Sequence, residues 1–78
     1  MTNLEKYTNA FVEALNVKAS EVEDLAYQSI SEWDSVGHMA LMATLEEVFD
    51  IMLDTEDVLA FSSFKKGKEI LTKYNVKF

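Results

Sequence analysis

The sequence predicts an all-α fold: a small four-helix bundle with three principal helices and one short helix, in a single domain spanning residues 1–78. Three observations carry that expectation. Proline is absent and glycine occurs only at Gly37 and Gly67, so the breakers that punctuate a turn-rich β fold are missing. Apolar residues return every three or four positions along most of the chain. Ser, Thr or Asp stands ahead of each periodic segment, where a short side chain can accept from the unpaired N–H groups of a first helical turn.

The first helix is expected from about Asn3 to Leu15, because Leu4, Tyr7, Phe11, Val12 and Leu15 recur at helical spacing. Thr2-Asn3-Leu4-Glu5 reads as a capping box in front of it. Residues 16–33 form a long connection with room for one short turn at Ser20-Glu21-Val22-Glu23. Val17, Val22, Leu25, Tyr27, Ile30 and Trp33 are the side chains that would pin it to the bundle, and so long a connection in a small helical domain is often functional. The second helix should open at Asp34-Ser35, with Asp34 as N-cap, and run to about Asp50. A short third helix fits Thr55 to Leu59, capped by Thr55. The fourth fits Phe64 to Tyr74, capped by Ser62 or Ser63, with Phe64, Gly67, Ile70, Leu71 and Tyr74 on one face and Gly67 permitting close approach. The expected core is Leu4, Phe11, Leu15, Leu41, Leu45, Phe49, Ile51, Val58, Phe61, Ile70 and Leu71.

Composition narrows the functions such a bundle can have. The chain has no cysteine, which excludes a disulfide scaffold, a thiolate metal site and a cysteine nucleophile. No apolar run approaches the roughly 20 residues needed to span a bilayer, and the first residues lack a signal-peptide pattern, so the expectation is a cytoplasmic monomer without stable membrane insertion. Net charge is −7, unevenly spread: residues 1–61 hold 13 acids and two lysines, whereas residues 62–78 hold five lysines and one acid. An acidic body argues against nucleic acid as a partner and favours basic protein surfaces. Asp54, Glu56 and Asp57 lack the spacing and glycine of a calcium loop, so no metal site is expected.

The second helix holds the most information. On a wheel advancing about 100° per residue, Leu41, Met42, Leu45, Val48 and Phe49 fall on one side as a core stripe. Val36, Met39 and Ala43 fall on the opposite arc with Glu46, Glu47 and Asp50. Apolar groups flanked by acids suit docking, because the acids steer a basic partner and the apolar groups bury against it. Ser35 stands at the mouth of this helix, where a phosphodiester would meet free N–H groups and the positive end of the helix dipole. A serine following an N-cap aspartate is common, and by spacing alone it is usually only structural. Asp34, Ser35 and His38 do not read as a hydrolase triad: His38 is the only histidine, it lies three residues from Ser35 on one helix, and no G-x-S-x-G elbow is present.

The stretch Trp33-Asp34-Ser35-Val36-Gly37-His38-Met39-Ala40-Leu41, continuing through Leu45-Glu46-Glu47-Val48-Phe49-Asp50-Ile51 and on to Asp54-Thr55-Glu56-Asp57, resembles the acyl carrier proteins. In that family an Asp-Ser pair followed by an apolar residue opens the second helix. The likeness covers essentially the whole chain and is most specific over residues 33–51. It implies an acyl-carrier-type bundle. It implies that Ser35 carries 4′-phosphopantetheine, transferred from coenzyme A by a phosphopantetheinyl transferase (the holo-carrier synthase) that uses magnesium, with Asp34 helping to engage the synthase and its metal. It further implies that acyl intermediates ride as thioesters on the arm's thiol, and that Val36, Met39, Ala43, Glu46, Glu47 and Asp50 form the docking face. The partners it implies are a loading ligase for acyl or aminoacyl groups and an acyltransferase or synthase with a basic docking patch. The carrier itself would not be an enzyme.

The chain departs from the pattern at Gly37 and Ala40, where carriers of fatty acid synthesis often have acids. The Trp-Asp-Ser…Gly-His-Met run looks more like specialised stand-alone carriers of polysaccharide or secondary-metabolite biosynthesis, and Gly37 is also seen in D-alanyl carriers. An aminoacyl carrier and an unmodified carrier-like interaction module are therefore the alternatives to an acyl carrier. Lys65, Lys66, Lys68 and Lys73 also depart from an evenly acidic carrier and serve most simply to offset the acidic body.

Overall fold

The computed structural model describes all 78 residues as an all-helical chain. Its elements are α1 (Asn3–Leu15), a 3₁₀ turn (Ala19–Asp24), α2 (Ser35–Phe49), α3 (Thr55–Ala60) and α4 (Phe64–Thr72). No helix is long and apolar enough to cross a membrane. The only β-type pairing is an isolated bridge between Ala26 and Ser63.

Each boundary has a local cause. At α1 the Thr2 hydroxyl accepts from the Glu5 N–H at 3.1 Å and the Glu5 carboxylate accepts from the Thr2 N–H at 2.9 Å, completing the predicted capping box. Thr2, through its backbone N–H first and its side chain second, holds the Glu5 carboxyl below the usual carboxylate range. The helix stops where Asn16 turns into the left-handed region at φ 55° and its N–H reaches back to the Val12 carbonyl. At α2 the Asp34 carboxylate accepts from the Gly37 N–H at 2.8 Å. That helix ends at Asp50, also left-handed at φ 52°, and the Ile51 N–H closes the end on the Glu46 carbonyl. At α4 the cap is Ser63, whose hydroxyl accepts from the Lys66 N–H at 2.9 Å.

Four expectations need correction. Thr55 does not cap α3: it is the first helical residue, and Asp54 holds the cap position without a side-chain bond. Residues 73 and 74 leave α4, because Lys73 and Tyr74 close the end in turns that bond to Ile70 and Leu71. Leu4 is 44% exposed, since the face of α1 that meets the bundle runs through Tyr7, Ala10, Phe11 and Leu15. Val48 is 39% exposed; the stripe of α2 facing the core is narrower than the wheel suggested and comprises Leu41, Met42 and Leu45.

The core is aromatic. Tyr7, Phe11, Trp33, Phe61 and Phe64 are all buried and meet edge-on or tilted, with Tyr7–Phe11 centroids 5.0 Å apart and Phe11–Trp33 centroids 5.5 Å apart. Such contacts contribute roughly 0.5–1.5 kcal/mol beyond the burial of area. The Tyr7 hydroxyl donates to the Phe64 carbonyl at 2.7 Å, so this buried polar group is satisfied, and burial pushes the phenol well above its ordinary pKa. Gly67 sits against this pair: a Cβ there would run into the Tyr7 hydroxyl and the Phe61 ring. Leu15, Leu41, Leu45, Ile70 and Leu71 are buried as expected, while Phe49, Ile51 and Val58 pack against the core half-buried.

The long connection is fastened by backbone pairing as well as by apolar contact. The Tyr27 N–H donates to the Ser62 carbonyl at 2.8 Å and the Phe64 N–H to the Leu25 carbonyl at 3.0 Å, which sews the loop to the α3–α4 junction. Trp33, at its end, is fully buried and brings the chain into α2 at a fixed place.

Candidate functional site

The entry to α2 is the site the sequence singled out. Asp34 caps the helix and Ser35 is its first residue, exposed to solvent. The Gly37 N–H is taken by Asp34 and the His38 N–H by the Asp34 carbonyl, which leaves the Ser35 and Val36 N–H groups as the free donors of this helix end. Gly37 is required here for a steric reason. A Cβ at this position would collide with the Glu32 carbonyl, because the loop folds back across the first turn of α2. The absence of an acid at position 37 therefore follows from backbone packing.

Ser35 opens onto a cleft of about 280 Å³ between α2 and α3. Met39 and His38 line it from α2, Val58 and Leu59 from α3, and Tyr27 and Ser62 from the loops sewn together behind it, with Phe61 at the base. None of these residues is an acid or a lysine.

The His38 imidazole is fully committed. Its Nδ1 accepts from the Trp33 indole N–H at 2.9 Å, and its Nε2 meets the Val58 carbonyl at 2.7 Å. An indole can only donate and a carbonyl can only accept, so the ring is the neutral tautomer with the proton on Nε2. His38 and Trp33 lie nearly coplanar, at 16°, and the Tyr27 ring stands edge-on to His38. The histidine makes no hydrogen bond to Ser35; it packs at the end of the first loop and ties α2 to α3.

Of the residues lining the cleft, Met39 is 59% and Leu59 80% exposed, and Val36, next to Ser35 in the chain, is 77% exposed. Ala43, Glu47 and Asp50 continue this side of α2 into solvent. Asp50 also forms the left-handed end of the helix. Glu46 is different: it is half-buried, and its carboxylate accepts from the Leu53 N–H at 2.9 Å, so it fastens the α2–α3 loop. Val48 joins the exposed apolar groups instead of the core.

The sequence reading therefore brought together Asp34, Ser35, Val36, Met39, Ala43 and Glu47, but it missed the far wall of the cleft. Tyr27 lies in a loop without periodicity, and Leu59 and Ser62 gain meaning only once α3 is seen to face α2. One signal was available: Leu59 follows the acidic first turn of α3 as an apolar residue with no place in the core stripe. No group of three or more His, Asp or Glu side chains is placed to hold a metal ion.

Comparison of the chain with family models, curated proteins and solved structures gave no match. What stands on the structure itself is an all-helical chain with an exposed, helix-opening serine beside a mostly apolar cleft.

Proposed function

We propose that this protein is a carrier that holds acyl intermediates as thioesters on 4′-phosphopantetheine attached to Ser35 and presents them to partner enzymes. The observation that carries the reading is the position of Ser35: an exposed hydroxyl in the first turn of α2, opening directly onto an apolar cleft. The residues fit the group. A phosphodiester on Ser35 Oγ would lie near the free Ser35 and Val36 N–H groups, at the end of a 15-residue helix where a negative charge is favoured. When bound, the arm supplies the thiol that a chain without cysteine lacks. Asp34 holds the helix entry and leaves Ser35 accessible to a transferase; magnesium belongs to that enzyme's reaction. Val36, Met39 and Leu59 form an apolar platform around the attachment point, and Glu47 and Asp50 supply charge for a basic partner.

The cleft also bears on the cargo. At roughly 30 Å³ per water-sized group, its 280 Å³ admits a short chain, and its lining offers no charged partner to an ammonium or a second carboxylate. That supports an uncharged acyl group over an aminoacyl group as the occupant of the cleft.

The test is intact mass after incubation with coenzyme A, magnesium and a broad-specificity phosphopantetheinyl transferase, beside a Ser35→Ala control. Addition of one phosphopantetheine to the native chain and none to the control is the expected result. No addition with any of several transferases would move the reading to an unmodified interaction module.

A further inference from the structure

We propose that His38 is the positioning residue that holds α3 in place as the movable wall of the cleft beside Ser35. α3 is only six residues long, and none of its residues is buried. Its N-cap, Asp54, makes no side-chain bond to the helix. Within the helix only Val58 packs against the core, half-buried; the flanking apolar anchors are half-buried Leu53 before the cap and buried Phe61 immediately after the helix.

What fixes the remainder of α3 is a small set of polar fastenings from outside the helix. The first is His38, whose Nε2–H donates to the Val58 carbonyl at 2.7 Å. That bond is set by the other side of the ring, because the buried Trp33 indole donates to Nδ1 and so determines both tautomer and ring plane. The second is Tyr74 beyond the end of α4, whose hydroxyl accepts from the Asp54 N–H at 3.0 Å and donates to the Asp57 carboxylate. The third is Lys73, which donates to Asp57 at 2.6 Å. The element is thus latched by four hydrogen bonds, two part-buried and two exposed, and hinged at Phe61. An element with so little buried apolar surface opens at a lower free-energy cost than the core helices. Opening it would uncover the Val58 and Leu59 wall of the cleft while leaving the His38 and Met39 wall on α2 in place.

The consequence for cargo access rests on the carrier reading; the latch itself does not. The test measures it directly by native-state amide hydrogen exchange on the full chain and its variants His38→Leu, His38→Gln and Tyr74→Phe, with the Trp33 indole N–H resonance as a second readout. His38→Leu should speed exchange of the α3 amides about tenfold, the order expected for loss of a partly buried hydrogen bond, while the α1 and core α2 amides change far less. Its indole resonance should move toward that of an unbonded N–H. His38→Gln can accept through Oε1 and donate through Nε2–H, so it should recover most of the protection. Tyr74→Phe reaches α3 from its other end and should loosen the same amides, which keeps the test decisive should His38→Leu fail to fold. Unchanged α3 exchange in His38→Leu or Tyr74→Phe, or acceleration spread evenly over all helices, overturns the proposal. Loading assays run beside these keep the two claims apart: failure to load native Ser35 removes the carrier reading and leaves the exchange result to stand on its own.

Discussion

At the scale of single residues, the two glycines show how backbone approach constrains this chain. Alanine is the better helix former at both sites by about 1 kcal/mol, yet the Cβ at position 37 would meet the Glu32 carbonyl, and at position 67 the Tyr7 hydroxyl and the Phe61 ring. Gly37→Ala and Gly67→Ala should each cost roughly 1–3 kcal/mol net in denaturant unfolding; equal or greater stability in either variant would contradict the packing described. Met39→Ala is the counterpart. Met39 is 59% exposed, so stability should change by about 0.5 kcal/mol or less while binding to a docking partner weakens. Both glycines were visible in the sequence as the only two breakers, but their reasons were not. The carbonyl that forbids a side chain at 37 comes from a loop without periodicity, and the groups at 67 come from α1 and the end of α3. Trp33 shows the same limit: its apolar character marked it as an anchor, whereas its indole bond to His38 depends on the path of the loop.

At the scale of elements, local signals and tertiary fastenings separate cleanly. The starts of α1, α2 and α4 were legible because their caps lie within three residues of the groups they satisfy. The setting of α3 was not legible, because Lys73 and Tyr74 reach Asp57 across 16 and 17 residues of chain. Those two donors, Lys73 first, hold the Asp57 carboxyl below its usual range. A depressed folded-state pKa means that this stabilisation is present above the unfolded value, near 3.9, and is lost as pH falls through the folded one. Asp57→Asn should therefore be less stable than the native chain at neutral pH, with the gap closing below about pH 4. A gap independent of pH in acid titrations of unfolding would contradict the clasp. Tyr7 acts in the opposite sense. Burial raises its phenol, so its contribution is complete below the ordinary tyrosine value, about 10, and is lost at higher pH. Tyr7→Phe removes the buried bond to the Phe64 carbonyl and should cost about 0.5–1.5 kcal/mol at neutral pH, with the difference shrinking in alkali.

At the scale of the whole molecule, the acidic body and the platform around Ser35 define how partners would be met. Glu47 is exposed and free of internal bonds, whereas Glu46 holds the Leu53 N–H. Glu47→Lys should thus weaken binding to a basic partner at low salt with little loss of stability, and the effect should fade as salt is raised. Glu46→Lys should destabilise the fold as well. A Glu47→Lys protein with unchanged low-salt affinity would remove charge from the docking account. The helical class and one wall of the cleft could be read from the chain, since periodicity and caps are local. The opposing wall could not, because it exists only once α3 folds over α2. The central claim concerns Ser35, and the most direct measurement is fragmentation mass spectrometry of the chain after transfer from coenzyme A, with Ser35→Ala treated identically. The account predicts one phosphopantetheine, located on Ser35 and absent from the control. A folded chain that stays unmodified, or carries the group on another residue, would contradict it.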